Sequence, residues 1–345
     1  MKTAKDDQPR VWVVVVNWNG CSDTIECLES LLKYGGPLLS GVVVCDNQSS
    51  DGSVVRIAEW LGSRGVRSRE FAFDGSAFTR VGSETFDRAD ECGSQVIIIN
   101  TGGNLGFAGG NNVGIRYVRG SRGYEYIFFL NNDAAIGPGC IDAAVSRFAE
   151  NQELGMVGCT ILNKEPPEAV QAFGGASFQP WLARGSVIGA GAPIDRSVNR
   201  SLVESKLDYI HGAALMINRE CLEKVGPMEE DYFLYYEEID WAIRAKRAGY
   251  SLGYAQSALV FHKGGATIGS SSDDSKRSLL SEYYLVRNAV RFTKKFYPHR
   301  SFTVLPFLWL KTLEAWLGGD SLRAKVRVRA IMGKPRCHEP ISATQ

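Results

Sequence analysis

The feature that most constrains this chain is a short apolar run that ends at once on Asn or Asp, met four times in the first 131 residues. Val11–Val16 stops at Asn17, Val42–Cys45 at Asp46, Val96–Ile99 at Asn100 and Tyr126–Leu130 at Asn131. The runs do not alternate with polar residues. A strand with one wet face alternates, whereas a strand buried on both faces reads as a continuous apolar run. The pattern therefore predicts parallel strands sandwiched between helices. Helical segments fit between the runs. Asp23 and Glu26 have capping-box spacing around a stripe of Ile25, Leu28, Leu31 and Leu32, and Gly35-Gly36-Pro37 stops that helix. Ser53 to Trp60 and Asn111 to Arg119 read as two more. The alternation predicts a βαβ-wound α/β domain. Ligands of such sheets bind beyond the carboxyl ends of the strands, where Asn17, Asp46, Asn100 and Asn131 all fall.

The 345 residues allow one large domain or two ordinary ones. With 39 basic and 38 acidic residues, the net charge of +1 argues against a nucleic-acid binder held by a general positive field. The balance hides an asymmetry. Residues 282–345 hold 12 Lys/Arg and 4 Asp/Glu, leaving 27 and 34 for residues 1–281. The basic tail also carries Phe302, Leu305, Phe307, Leu308, Trp309, Leu310, Leu313, Trp316 and Leu317. Peripheral contact with an anionic membrane through 303–332 is one expectation for it. A helix packed on the domain and a homodimer contact are the others. No run approaches the ~20 apolar residues needed to span a bilayer, and Met1 to Arg10 is polar. A cytoplasmic setting is therefore expected, with peripheral contact at the inner face of the plasma membrane as its extension. The eight cysteines are dispersed without a C-x-x-C pair, as for reduced thiols buried as small core residues.

Neither G-x-G-x-x-G nor G-x-x-x-x-G-K-[ST] occurs, which weighs against dinucleotide oxidoreductases and P-loop enzymes. The Gly-rich segment Gly102 to Gly114 would let backbone approach a ligand, or serve only as a strand-to-helix turn. Asp133, just past the fourth run, can offer a hard oxygen to Mg²⁺ or Mn²⁺, with diphosphate oxygens completing the shell, or cap a turn. Glu237, Glu238 and Asp240 open a helix running to about Ala248, with Gly249 as its C-cap. Acids there suit the helix dipole, and Asp240–Arg244 is an i,i+4 ion pair. The aromatic residues Tyr232, Phe233, Tyr235 and Tyr236 just before them fit a carboxylate that deprotonates a stacked sugar hydroxyl. His262 follows the run Ala258–Phe261 and is a strand-end histidine or a third ligand beside Asp133 and a diphosphate. Gly62 to Ser94 reads as an insertion or mobile loop. Gln171 to Lys206 reads as a substrate-covering segment or a surface loop.

Taken in order, these segments resemble glycosyltransferase family 2, and within it the bacterial rhamnosyltransferase-like branch of GT-A fold enzymes. The matching pieces are VVVNWNG (14–20), VVVCDNQSSDGS (42–53), NLGFAGGNNVGI (104–115), FFLNNDA (128–134), HGAALMINRECLEKVG (211–226), DYFLYYEEIDWAIRAKRAGY (231–250), ALVFHKGGAT (258–267) and YYLVRNAVRF (283–292). The resemblance implies a Rossmann-like, mostly parallel sheet in a GT-A domain over 1–281. Its nucleotide-binding half would cover about 1–135 and its acceptor and catalytic half about 136–281, followed by a basic helical extension at 282–345.

The resemblance further implies an inverting transfer of a sugar from a nucleotide-diphosphate donor to a glycan or lipid-linked glycan. The donor favoured is dTDP-rhamnose, with UDP-sugars open. Asn17, Asn19 and Asp46 would hold the nucleoside, and Asn104, Gly106 and Phe107 would line the same side. Asn131 and Asp133 stand at the family's D-x-D motif, with Asp133 on the divalent cation and His262 as a further metal or diphosphate contact. Glu237-Glu238 stands where the family has Glu-Asp, whose second member is the general base, so Glu238 or Glu237 takes that role. Asp240 and Arg244 complete the motif. Asn131 and Glu238 both depart from the commoner Asp. A catalytically inactive nucleotide-sugar binding protein is the alternative. A nucleotidyltransferase of similar fold would want a basic residue near the first strand, and Asn17 to Asp23 has none.

Overall fold

A computed structural model describes residues 9–81, 95–121, 123–164, 169–194, 198–264 and 277–335. The chain divides into two compact units. The first holds Met1–Ser177, Ser186–Phe233 and Glu237–Thr267, and the second Phe178–Gly185, Leu234–Tyr236 and Ile268–Gln345.

The four apolar runs become strands of the first unit. The chain runs β1 (Val11–Asn17), α1 (Cys21–Tyr34), β2 (Leu39–Asp46) and α2 (Ser53–Ser63). An edge hairpin follows, β3 (Ser68–Phe73) and β4 (Phe78–Val81), then β5 (Gln95–Asn100), α3 (Gly106–Gly120) and β6 (Tyr126–Asn131). β3, β5, β2, β1 and β6 pair in parallel, in that spatial order. Alternate residues of β1 enter two different cores. Val11, Val13 and Val15 pack with Leu28 and Leu31 of α1, while Val14 packs with Val113 and Val118 of α3. Two buried faces explain why these runs show no polar alternation.

Beyond β6 the sheet is mixed. β7 (Ala134–Ile136), α4 (Cys140–Glu150), β8 (Leu154–Asn163), β9 (Val170–Phe173), β10 (Gly175–Gln179), β11 (Arg184–Val187), α5 (Arg200–Glu204) and β12 (Tyr209–Ile210) follow in order. β13 (Ala214–Asn218), α6 (Arg219–Val225), α7 (Glu237–Arg247) and β14 (Ser251–His262) complete the unit. The large sheet continues from β6 through β13, β8 and β14 to β7, and β11, β10 and β12 form a small second sheet.

Several local expectations change. Asp23 and Glu26 do not cap α1, whose N-cap is Gly20 with no side-chain hydrogen bond. Their carboxylates instead hold Lys263, and Glu26 also holds Lys164. Part of the stretch read as an insertion, Ser68–Val81, is a hairpin on the sheet edge, and its remainder at 82–94 lies outside the described residues. The stretch 171–206 is not one loop: it carries most of β9 on the large sheet, β10 and β11 of the small sheet, and the short helix α5. Helix α3 starts at Gly106, five residues before Asn111, since its glycines are there for close packing. A Cβ on Gly114 would overlap Val14, and one on Gly110 would come 2.9 Å from Val16. Cys21, Cys27, Cys45, Cys140, Cys159 and Cys221 are free and buried, whereas Cys92 and Cys337 lie outside the described residues.

In the second unit, α8 (Leu279–Phe296), α9 (Ser301–Leu317) and α10 (Ser321–Ile331) pack together. Phe292 of α8 meets the rings of Phe178 (5.1 Å) and Tyr236 (5.3 Å). Glu282 is buried under Arg277, Arg323 and Arg327, with ion-pair distances of 3.3, 3.3 and 2.5 Å. No helix among the described residues is long and apolar enough to cross a membrane.

Candidate active site

Strand register sets the predicted residues side by side. Asn17 lies opposite Asp46, Asp46 opposite Asn100, and Val16 opposite Asn131. All four run endings share one edge of the sheet, but they do different things there. Asn17 Nδ2 donates to Asp46 Oδ1 (2.7 Å) and to Ser49 Oγ (3.1 Å), and Asn17 Oδ1 accepts from Thr24 Oγ1 (2.7 Å). Asp46 also accepts from Ser49 N (2.9 Å) and Ser49 Oγ (2.6 Å). Both residues are buried, and both Asp46 oxygens are engaged by the protein. This pair braces the loop after β2 from below. Asn100 turns outward and accepts from Gly102 N.

The exposed members of the nucleoside set are Asn19 and Asn104. Asn19 has φ 50°, and its Oδ1 accepts from Ser50 N (2.7 Å). Asn104 Oδ1 accepts from Gly106 N (3.1 Å), which shapes the entry to α3. Gly106 has φ +70°, and a Cβ there would overlap Phe233 O and lie 2.6 Å from the Phe233 ring. Phe107 N donates to the same Phe233 carbonyl (2.7 Å). The Gly-rich segment is thereby tied to the aromatic segment that precedes α7. That segment is strained: Phe233, Tyr235 and Tyr236 have φ of 65°, 67° and 77°, a region bulky L-residues rarely adopt and one that clusters at functional sites.

A second group gathers where β6 and β14 end. β14 pairs with β7 so that His262 lies opposite Ala134, next to Asp133. His262 Nε2 is 3.1 Å from Asp133 Oδ1 and 3.2 Å from Asn131 Nδ2. On the other side of the ring, Nδ1 lies 2.8 Å from Gln171 Oε1, and Gln171 Nε2 donates to the His262 carbonyl (2.9 Å). With the amide so oriented, its oxygen can only accept, which puts a proton on Nδ1 and directs Nε2 toward Asp133. Burial opposes the charge on Asp133. His262, by hydrogen bond and by charge, together with the backbone N–H groups of Asp133 and Gly264, outweighs it and holds the carboxyl below its ordinary value.

This pair fits a divalent cation. Two donors at about 2.1 Å in cis positions of an octahedral shell stand about 3.0 Å apart, close to the 3.1 Å observed. The described residues hold no cluster of three or more His, Cys, Asp or Glu that could bind a metal. The remaining ligands would come from water and from a diphosphate, as is usual for such ions.

The segment His211–Ala213 links this pair to the acidic helix. Ala213 O accepts from Asn131 N (3.0 Å), and the His211 ring lies 6.2 Å from the His262 ring. Burial pushes His211 down to about 4, helped by the charge of His262 and opposed by Asp133. Gly212 underlies Glu238: a Cβ there would overlap Glu238 Oε1 and come within 3.1 Å of Cδ. Glu238 is half-buried in the first turn of α7, and burial pushes its carboxyl up to about 7. Its neighbours are placed differently. Glu237 is almost wholly buried. Asp240 is fully buried, accepting from Arg244 Nε (2.6 Å) and Tyr232 Oη (3.1 Å). Arg244 donates onward to Val225 O (2.6 Å) and Pro227 O (2.9 Å). Asp240 and Arg244 thus clamp α7 to the segment after α6.

Residues the sequence reading did not single out take part. Gln171 fixes the His262 tautomer, Gly212 seats Glu238, and Asn132 Nδ2 reaches Thr24 Oγ1 (3.2 Å) beneath Asn17.

The sequence profile described as Glycosyl transferase family 2 matches residues 82–226. Low-salt glycan biosynthesis hexosyltransferase Agl10 of Haloferax volcanii is 27% identical over 164 residues, covering 48% of this chain and 50% of Agl10. The N-acetylglucosaminyl-diphospho-decaprenol L-rhamnosyltransferase of Mycobacterium tuberculosis is 28% identical over 184 residues, covering 49% of this chain and 59% of that enzyme. The chain therefore spans about half the length of these curated relatives. Among solved structures, the GalNAc-T7 complex with UDP, GalNAc and Mn²⁺ superposes with a TM-score of 0.59 at 12% identity, covering 86% of this chain and 50% of that one. Mannosyltransferase PcManGT from Pyrobaculum calidifontis, in complex with GDP-Man and Mn²⁺, gives 0.52 at 17% identity, covering 95% and 76%. These likenesses establish the GT-A fold.

Proposed function

We infer that this chain, which belongs to glycosyltransferase family 2 and is rhamnosyltransferase-like, transfers a sugar from a nucleotide-diphosphate donor to a hydroxyl of a glycan or lipid-linked glycan, with inversion. One observation carries the reading. A carboxyl raised to about 7, on Glu238, sits against the same three-residue segment whose other side meets Asn131 and His262. A general base is most effective when its pKa lies near the working pH.

In a single displacement, the acceptor oxygen forms its bond to the anomeric carbon as the bond to the diphosphate oxygen breaks. Glu238 takes the hydroxyl proton. Glu237, almost wholly buried, is less well placed to meet an acceptor. Asp133 and His262 would hold a divalent cation, Mg²⁺ or Mn²⁺. When bound, that ion would supply charge neutralisation for the leaving diphosphate. Asn19, Asn104 and Phe107 line the nucleoside side, and Asn17, Asp46 and Gly106 brace it. Asn131 holds the imidazole rather than the ion.

The relatives' names favour the donor sugar. One is a dTDP-rhamnosyl transferase from Shigella flexneri and another an L-rhamnosyltransferase acting on a diphospho-decaprenol. We therefore place dTDP-rhamnose first and UDP-sugars second, with a polyprenyl-diphosphate-linked glycan as acceptor. The test is a panel of nucleotide-sugars read by thermal stabilisation and by transfer or hydrolysis with and without Mn²⁺. One donor should stabilise the chain and turn over, and Glu238→Gln should keep the stabilisation while turnover drops by about 10²–10⁴-fold. Stabilisation without turnover of any donor would instead favour a binding protein.

A further inference from the structure

We propose that helix α9 docks the chain on an anionic lipid surface, lying in the plane of the headgroups. Such docking involves the second unit alone and does not depend on the sugar-transfer reading.

The helix has two apolar faces. Val304, Leu308 and Thr312 point into the unit and are buried. On the opposite side, Phe302, Trp309, Leu310, Leu313, Trp316 and Leu317 are exposed, from 43% for Trp309 to 70% for Leu317. At about 100° per residue these six positions fall within an arc of roughly 120° that contains no charged side chain. The charges of α9, Lys311 and Glu314, lie outside the arc and pair with each other at 2.7 Å. A soluble surface rarely leaves so many large apolar side chains in one unbroken stripe.

Charge decides which occupant the stripe suits. Residues 277–335 hold 12 Lys/Arg against 3 Asp/Glu, and Lys294, Lys295, Lys325 and Lys334 of this unit are exposed. Two copies pressed together would bring two strongly basic units into contact, which repel. An anionic bilayer attracts the same charges, each worth most within a Debye length of the headgroups. Trp309 and Trp316 stand two turns apart on the stripe, about 10 Å, and indole rings favour the level of the headgroups. An exposed apolar stripe on a unit with a strong net positive charge is suited to an anionic interface.

The test uses the full chain and vesicles of phosphatidylcholine alone or with one-third phosphatidylglycerol. We expect co-sedimentation with the anionic vesicles, a blue shift of tryptophan emission on binding, and at least about tenfold weaker binding to neutral vesicles or in high salt. Leu313→Glu/Trp316→Glu should weaken anionic-vesicle binding by at least about tenfold, with the circular dichroism and melting curve unchanged. If that pair disturbs folding, Leu310→Ser/Leu317→Ser, at two more than half-exposed positions, should weaken binding in the same direction. Wild-type chain that stays in the supernatant, folded variants that bind as well as wild type, or a dimer dissolved by these variants without vesicle binding would each overturn the proposal.

Discussion

Replacing Gly212 by alanine isolates the seating of Glu238 from its chemistry. Gly212 has no positive φ, so its backbone accepts alanine without strain, and the fold should tolerate the change. The added Cβ would overlap Glu238 Oε1 and stand 3.1 Å from Cδ and 3.3 Å from Cγ. Those atoms belong to a flexible side chain, so the carboxylate yields and the backbone stays. Relief of the overlap needs a carboxylate shift on the order of 1 Å, and a misplacement of that size costs about 10²-fold in rate. We expect Gly212→Ala to melt within a few degrees of wild type, to bind donor normally, and to lose about 10²-fold in kcat. The assay is transfer from the donor identified by thermal stabilisation, run as a cycle with Glu238→Gln. If Gly212 acts through Glu238, the double variant should be no slower than Glu238→Gln alone, because the base can be lost only once. Full turnover in Gly212→Ala, or losses that multiply in the double variant, would refute the placement of Glu238 over Gly212 as the determinant.

Four further outcomes are expected. Since the Glu238 carboxyl is pushed up to about 7 and acts ionised, kcat/KM should rise with pH through about 7, a limb that Glu238→Gln should lack. The same raised pKa makes ionisation costly to the fold. Its stabilising effect is full below the ordinary value of 4.5 and is lost as pH rises through about 7, so Glu238→Gln should raise the melting temperature at pH 8 and leave it nearly unchanged at pH 4. Gln171→Leu should weaken Mn²⁺ binding, followed by calorimetry with nucleoside diphosphate present, by about 10–100-fold, through loss of the tautomer that aims Nε2 at Asp133. Asp240→Ala should destabilise the chain by about 1–3 kcal/mol in denaturant melts, because Arg244 loses its charge partner and Tyr232 Oη its acceptor while Arg244 keeps its two carbonyl acceptors, with normal turnover per folded molecule below the transition.

The strands of the sheet's parallel half were legible because burial on both faces leaves a direct mark, an unbroken β-branched run. Val11–Val16 could hardly be anything else once Asn17 ended it. Asn17, Asp46, Asn100 and Asn131 share an edge because parallel strands in register end together. Their separate tasks were not legible. Whether Asp46 faces a ligand or Ser49 depends on a loop whose path is set by contacts 30 residues away in sequence, such as Asn19 with Ser50. Gln171 left no signal, because a residue that orients a histidine 91 positions later has no local pattern. The capping-box spacing of Asp23 and Glu26 misled for a related reason: Lys164 and Lys263, far along the chain, compete for those carboxylates and win. The apolar residues of α9 were legible as a group, but their division into a buried and an exposed face needed the packing of α8 and α10.

The motif residues separate by whether the protein already satisfies them. Asp46 receives three hydrogen bonds, and Asp240 receives an arginine and a tyrosine hydroxyl, so the protein engages both oxygens of each carboxylate. A buried carboxylate so engaged is rigid and inert, which suits a brace. Glu238 is the opposite case. It is surrounded closely enough to be pushed up to about 7, and the causes of that shift include no cationic partner. A carboxylate in that state releases its strain by taking a proton, which is what a general base does. Asp133 lies between the two, held below its ordinary value by a histidine whose other nitrogen is fixed by Gln171. A group kept ionised beside an imidazole nitrogen suits a cation better than a proton. Sequence spacing alone would have counted Asp46, Asp133, Glu238 and Asp240 as four equivalent acids. Their hydrogen-bond inventories fit the proposed division, in which two hold the site in shape, one meets a metal and one takes part in the reaction.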